Sequence, residues 1–202
     1  MSDLPLCLDL FCGTGSATAP IREHGCMRVV GFDLSPKAKG RDVTADVRRL
    51  PLAEGVRPRF VWASPPCQLF STAAAAWHFD RDERAAVGMG TIRLALDWAR
   101  RADYYAVENV RGSLRFIIPE FGEPALRGHA YYVWTNLPLG ILKASNRLGK
   151  GIRIPPKSKP PTPGHPRFYT HHYRTKRTIE AARIPRPLAE AVHEAVCPEA
   201  PA

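Results

Sequence analysis

Apolar residues fall in short runs separated by turns and amphipathic stretches. Pro5 to Phe11 is the first run and Met27 to Phe32 the second, with a helical stretch predicted over Ala17 to Glu23. Cys12-Gly13-Thr14-Gly15-Ser16 stands between the first run and that helix. Strand, glycine turn, helix, strand is a βαβ opening, and Asp33 closes its second strand. Phe60 to Ala63 is a β-branched and aromatic run that stops at Ser64-Pro65-Pro66-Cys67-Gln68. It reads as a buried strand ending in a sharp turn, because neither proline can donate to a sheet ladder. Gly90 to Arg101 places apolar residues at 92, 94, 96 and 98–99, which predicts an amphipathic helix. A strand over Tyr104 to Val107 follows, ending at Glu108-Asn109-Val110. Arg111 to Phe121 reads as helix, Ala130 to Thr135 as strand, and Arg183 to Val196 as a helix with Pro185 and Pro187 near its first turn. Strands alternating with helices predict an α/β fold, a doubly wound and mostly parallel sheet whose carboxyl strand ends gather on one ligand-binding edge.

Three strand ends carry candidate chemistry. Glycines let the backbone after the first strand approach a ligand, and Asp33 can accept hydrogen bonds from ribose hydroxyls. A dinucleotide fingerprint needs a third glycine at position 18, where Thr18 stands. The turn therefore favours a nucleoside ligand without a pyrophosphate, such as S-adenosylmethionine (SAM), over NAD. Asp46 lies in a loop and suits ligand contact and a helix or turn cap equally well. Cys67 is held on a rigid turn at a strand end, although most unpaired cysteines are simply small buried hydrophobes. A lone glutamate at a strand end usually caps or pairs; one facing a cysteine across a crevice is a candidate proton donor, which singles out Glu108. Leu69 to Asp80, with four consecutive alanines, reads either as helix or as a closing lid.

Composition changes this picture in two places. A chain of 202 residues suits one domain with at most a small appendage. No apolar run reaches the about 18 residues of a membrane span, and the acidic N-terminus argues against a secretory leader. Five cysteines, an odd number with no C-x-x-C pair, argue against a disulfide framework and for a reducing cytoplasm. A zinc site of His171, His172 and Cys197 fits no ligand spacing, so no metal is expected. The net charge of +10 is concentrated: residues 124–179 hold 11 Lys and Arg and no acid, against 18 basic and 19 acidic residues elsewhere. Such a segment suits a polyanion. Pro138 to Pro166 holds seven prolines, consistent with a basic linker or with a small DNA-reading lobe. The spacing of Arg147, Lys150, Arg153, Lys157 and Lys159, followed by aromatic Phe168, Tyr169 and Tyr173, favours the lobe, with bases holding phosphates and rings stacking. The division expected is a catalytic domain over residues 1–136 and 177–202, and a lobe over 137–176.

Asp9-Leu10-Phe11-Cys12-Gly13-Thr14-Gly15, Pro65-Pro66-Cys67-Gln68 with Phe70-Ser71, and Glu108-Asn109-Val110 occur in this order. Together they resemble motifs I, IV and VI of the cytosine-5 DNA methyltransferases. Gly90-Thr91-Ile92 resembles motif V, residues 122–129 resemble motif VIII, and Arg177 to Val196 resembles the last two motifs run together. The resemblance implies a Rossmann-like SAM-dependent methyltransferase fold. It places Asp9, Phe11, Gly13, Gly15, Asp33, Leu34, Asp46 and Pro66 at SAM. Cys67, Glu108 and Arg127 become catalytic, and Gln68, Ser71 and His129 join the five bases at duplex DNA with a flipped cytosine. In that chemistry a Cys67 thiolate adds to carbon 6 of cytosine, and protonated Glu108 donates to N3. The match departs where motif VIII reads Ala125-x-Arg127-x-His129 rather than Gln-x-Arg-x-Arg, so His129 replaces the second arginine. The Gly-Asn that opens the last motif is also missing, and the recognition region is very short. Compact orphan enzymes of phages are similar, which implies a monomer in the cytoplasm of a bacterial host, phage-encoded or tied to restriction-modification. A relative acting on RNA, one transferring a group larger than methyl, and a silent nucleic-acid-binding homologue are the alternatives; intact Cys67 and Glu108 argue against the last.

Overall fold

The computed structural model describes residues 4–68, 70, 81–128, 131–138 and 183–197. Its strands are β1 (Leu6–Leu10), β2 (Arg28–Asp33), β3 (Val43–Thr44), β4 (Phe60–Ala63), β5 (Tyr104–Asn109), β6 (Leu126–Arg127) and β7 (Tyr132–Thr135). The helices are α1 (Ala19–His24), α2 (Arg81–Ala99), α3 (Leu114–Phe121) and α4 (Arg186–Val196), with single 3₁₀ turns at Val47–Arg49 and Arg111–Ser113. All seven strands form one sheet in the order β3-β2-β1-β4-β5-β7-β6. β7 alone runs antiparallel to its neighbours β5 and β6, while the other pairs are parallel. This is the expected doubly wound, mostly parallel, Rossmann-like sheet.

β4 is the middle strand, and all four of its residues are buried, as a strand covered on both faces requires. Cys7, Phe60, Trp62, Ala106 and Val133 pack on one face under Ile21 of α1 and Leu188, Val192 and Val196 of α4. Leu8, Leu10, Val61, Ala63, Val107 and Trp134 pack on the other under Ile92, Leu96 and Ile117 of α2 and α3. Strand order reverses between β1 and β4, the point at which such sheets place a ligand crevice, outside the carboxyl strand ends. The register sets four residues in one row just there: Phe11, Asp33, Ser64 and Glu108 each follow or close a strand at the same level.

Several boundaries differ from the sequence reading. α2 begins at Arg81 rather than Gly90, because its buried stripe runs through the small residues Ala85 and Gly88 before Met89 and Ile92. α1 starts two residues later than expected, with Pro20 in its first turn, and stops at Gly25 in the left-handed conformation. α4 starts at Arg186, after a Pro185 cap. Between β2 and β3 no helix forms: nine residues cross over, too few for the usual helical connection.

The cysteine reading needs correction. Cys26 and Cys197 are joined by a disulfide across 171 positions of sequence. An odd count and absent C-x-x-C spacing say nothing about residues brought together by helix packing.

Candidate active site

The turn after β1 is built from left-handed backbone. Gly13 (φ 52°) and Gly15 (φ 72°) adopt it without penalty, but so does Phe11 (φ 57°), for which it costs about 1–3 kcal/mol. Asp33 holds the turn from β2: its carboxylate accepts from the Gly13 N–H at 3.0 Å and from the Ser35 N–H at 2.8 Å. The Cys12 N–H donates to the Phe32 carbonyl at 3.1 Å. Behind the turn, a Cβ on Gly15 would stand 2.8 Å from the Gly40 Cα, so glycine is required on grounds of space as well. Asp9 lies beneath it, 1% exposed, accepting from the Thr18 hydroxyl at 2.6 Å. Its second oxygen has no hydrogen-bond partner among the described residues. Burial pushes the Asp9 pKa up to about 7, against the pull of Thr18. Leu34, next to Asp33, is 56% exposed, a large apolar side chain left at the rim of the crevice.

The turn after β4 faces this one. Ser64 takes a hydrogen bond from Trp62 Nε1 at 2.9 Å and hydrogen-bonds the Glu108 carboxyl at the end of β5. Glu108 is half-buried, and desolvation raises its pKa to about 7, the Ser64 bond opposing. Asn109, fully buried, donates from Nδ2 to the Pro65 carbonyl at 3.1 Å and accepts from the Val110 N–H at 2.9 Å. The Asn109–Pro65 bond and the Ser64–Glu108 bond lock the Pro-Pro-Cys turn to the end of β5. Beyond Cys67, the Phe70 N–H closes on the Cys67 carbonyl at 3.0 Å. The Phe70 ring is 5.8 Å from Phe116 and lies over Gly88, where a Cβ would be 2.5 Å from it. Cys67 is half-buried and remains a thiol; Gln68 is exposed and Pro66 half-buried beside it.

The structure thus gathers Phe11, Gly13, Gly15, Asp33 and Leu34 on one side of the crevice and Pro66, Cys67 and Glu108 on the other. Asp46 is placed differently: it caps the Val47–Arg49 turn, accepting from the Arg48 N–H at 2.9 Å and pairing with its guanidinium, which holds its pKa down at about 2. Arg127 is not brought to Glu108. The rows Glu108–Val133–Leu126 and Asn109–Tyr132–Arg127 put Arg127 on the opposite face of the sheet, paired with Glu123. Ser71, His129, Arg147, Lys150, Arg153, Lys157 and Lys159 lie outside the described residues, as do the alanine run and residues 139–176 of the proposed lobe; Leu137, its first residue, is buried in the core.

Sequence reading did not single out Ser64, Asn109 or Tyr131 as site residues. Tyr131 donates its hydroxyl to the Arg183 carbonyl at 2.8 Å, and its pKa is raised by burial and then by the charge of Glu108 nearby. A polar residue next to a motif carries no signal of which backbone carbonyl it reaches, though Asn109 immediately after a candidate acid offered a hint.

No protein-family model matches the chain, and no curated protein matches it in sequence. Among solved structures, the chain is similar to the plantazolicin methyltransferase BpumL in complex with SAH, with a TM-score of 0.34 and 11% identity, over 57% of this chain and 43% of that one. It is also similar to an S-adenosylmethionine dependent methyltransferase from Mesorhizobium loti, with a TM-score of 0.31 and 20% identity, over 62% of this chain and 53% of that one. The chain therefore aligns with about half the length of each.

Proposed function

We propose that the protein is a SAM-dependent methyltransferase that modifies carbon 5 of cytosine in DNA. The observation that carries this reading is the joined turn: Cys67 is fixed by Asn109 and Ser64 to the strand end that bears Glu108, a carboxyl poised near neutral pH. A nucleophile and a proton donor held on one rigid platform are what addition across the 5,6 double bond of a pyrimidine requires.

The residues fit SAM. Each Asp33 oxygen takes one protein N–H and keeps acceptor capacity for a ribose hydroxyl. Exposed Leu34 offers an apolar face to an adenine, and the left-handed turn at Phe11 exposes backbone to a ligand. When bound, SAM supplies an electrophilic methyl group. Cys67, as thiolate, forms a bond to carbon 6 and pushes the ring electrons toward carbon 5. Glu108 places its proton at N3, where negative charge would otherwise build up. The Trp62–Ser64–Glu108 chain keeps that carboxyl aimed. Once carbon 5 carries the methyl group, its proton passes to water, the electron pair re-forms the 5,6 double bond and expels the Cys67 thiolate, and N3 returns its proton to Glu108. The target atom is unreachable in a stacked duplex, so the base must swing out, at about a few kcal/mol. The acid-free basic stretch over residues 124–179 supplies charge for the phosphates.

The test is mass spectrometry of nucleosides after incubating the chain with SAM and duplex DNA. 5-Methylcytosine, absent without SAM, is the expected product. Methylation confined to RNA, or to another atom, would refute the proposal.

A further inference from the structure

Two segments distant in sequence close on each other along α1 and α4. The Ile184 N–H donates to the Ser16 hydroxyl at 2.9 Å, and Arg186 pairs with Glu23 at 2.7 Å. Next, His193 stacks on His24 with ring centroids 4.2 Å apart, and Cys197 then meets Cys26. The contacts run in the same order along both segments. They end beside the start of β2, at the sheet edge opposite the carboxyl ends that form the candidate active site.

At that end the two sulfurs and a ring nitrogen of His193 lie within 4.8 Å of one another, all three residues being half-buried. His193 and Cys197 are one helical turn apart and so share a face of α4. His24 and Cys26 flank Gly25, whose left-handed backbone (φ 67°) turns the chain at the end of α1. We propose that, once the Cys26–Cys197 bond is reduced, the two thiolates and the His193 imidazole bind a zinc ion that clamps α4 to α1. Thiolate and imidazole donors select zinc over magnesium or calcium, which take oxygen ligands. Zinc–sulfur bonds of about 2.3 Å hold two sulfurs about 3.8 Å apart, so ion and disulfide exclude each other. A dithiol reductant delivers two electrons and two protons to the S–S bond, giving two thiols and the reductant's own disulfide. Zinc binding then displaces both thiol protons into solvent. Stacked His24 holds the plane of the His193 ring.

The site is independent of the proposed methylation, and so is its test. Full-length chain is reduced with a dithiol, freed of it without oxygen, and titrated with cobalt(II) as spectroscopic probe, then with zinc. One equivalent of cobalt with thiolate-to-metal charge-transfer absorption, displaced by one zinc, is expected from reduced protein and none from oxidised protein. Cys26→Ser, Cys197→Ser and His193→Ala should each remove the one-equivalent binding, and His24→Ala should weaken it by about 10–100-fold. Comparing reduced with oxidised wild type needs no variant to fold. Reduced protein that takes up no metal would overturn the proposal, as would a charge-transfer band that survives in the Cys26→Ser/Cys197→Ser double variant.

Discussion

The turn after β1 and the turn after β4 lie side by side; the first holds the Cys12 thiol near Asp9 and Asp33, and the second ties the Cys67 turn to the strand end that bears Glu108. Cys12 is 8% exposed, and burial together with the charges of Asp9 and Asp33 pushes its thiol pKa well up. Asp9, beneath it, is sealed from solvent and bonded to Thr18. Cys67 instead sits half-buried on a proline-fixed turn, and Glu108, also half-buried as a residue, closes β5 beside that turn. Both carboxyls reach about pH 7 through desolvation, so a shifted pKa does not by itself mark the working acid. Access marks it. A thiol held protonated by burial and neighbouring anions is inert, whatever its distance from the ligand.

The largest expected effect sharpens that contrast. Cys67→Ser should lower methyl transfer by roughly 10³-fold or more while SAM binding persists, whereas Cys12→Ser should stay within a few-fold. DNA carrying 5-fluorocytosine traps the adduct, because fluorine cannot leave as a proton does. A covalent band on a denaturing gel should form with wild type and with Cys12→Ser, and fail with Cys67→Ser. Adduct formed by the Cys67→Ser protein would reverse the roles of the two turns.

Next comes the acid pair. Glu108→Gln keeps a hydrogen-bond donor but has no proton to transfer, and should lower kcat by about 10²–10⁴-fold. Because desolvation raises the Glu108 pKa to about 7, its acid form persists to neutrality and is lost above it. The kcat/KM of wild type should therefore fall as pH rises past about 7. That limb should disappear in Glu108→Gln and remain in Asp9→Asn. A limb abolished by Asp9→Asn would make the buried carboxyl the functional one.

The β1 turn was the more legible of the two, for a physical reason. Its glycines, its acid at the end of β2 and its βαβ setting all act through backbone geometry within 30 residues, and local sequence encodes that. The partners that fix the β4 turn are 44 residues away at Asn109, and no periodicity reports a side chain reaching the Pro65 carbonyl. Asp46 takes the local cap that the sequence left open beside ligand contact, with Arg48 two residues on as its partner. Arg127 falls in the row of Asn109 rather than of Glu108, and a strand register of one position, which sequence does not report, decides the face. Cys26 and Cys197 were unreadable as a pair, since only the packing of α4 on α1 joins them.

Asn109 tests the lock between the two strand ends. Asn109→Ala leaves the buried Pro65 carbonyl and Val110 N–H without partners, at about 1–3 kcal/mol of stability. Denaturant unfolding should show that loss. Loosening the Cys67 turn should lower kcat while the KM for SAM holds, since the β1 turn keeps its own bonds to Asp33. Equal losses in both parameters would mean that the two turns form one unit rather than two.

The smallest effect concerns Asp9. Its pKa rises from 3.8 in the unfolded chain to about 7 in the folded one, so between those values the folded state binds more protons. Stability from this group is therefore complete below about pH 4 and falls away as pH climbs toward 7. Glu108 contributes a slope of the same sign, between 4.5 and about 7. Asn at position 9 can still accept from the Thr18 hydroxyl and has no proton to lose. Asp9→Asn should thus flatten the fall in melting temperature between pH 4 and 7 and leave the share due to Glu108. Only the double change, Asp9→Asn with Glu108→Gln, should remove the rest. If Asp9→Asn leaves the profile unaltered, burial does not hold the Asp9 carboxyl protonated, and the two turns differ less than their exposure implies.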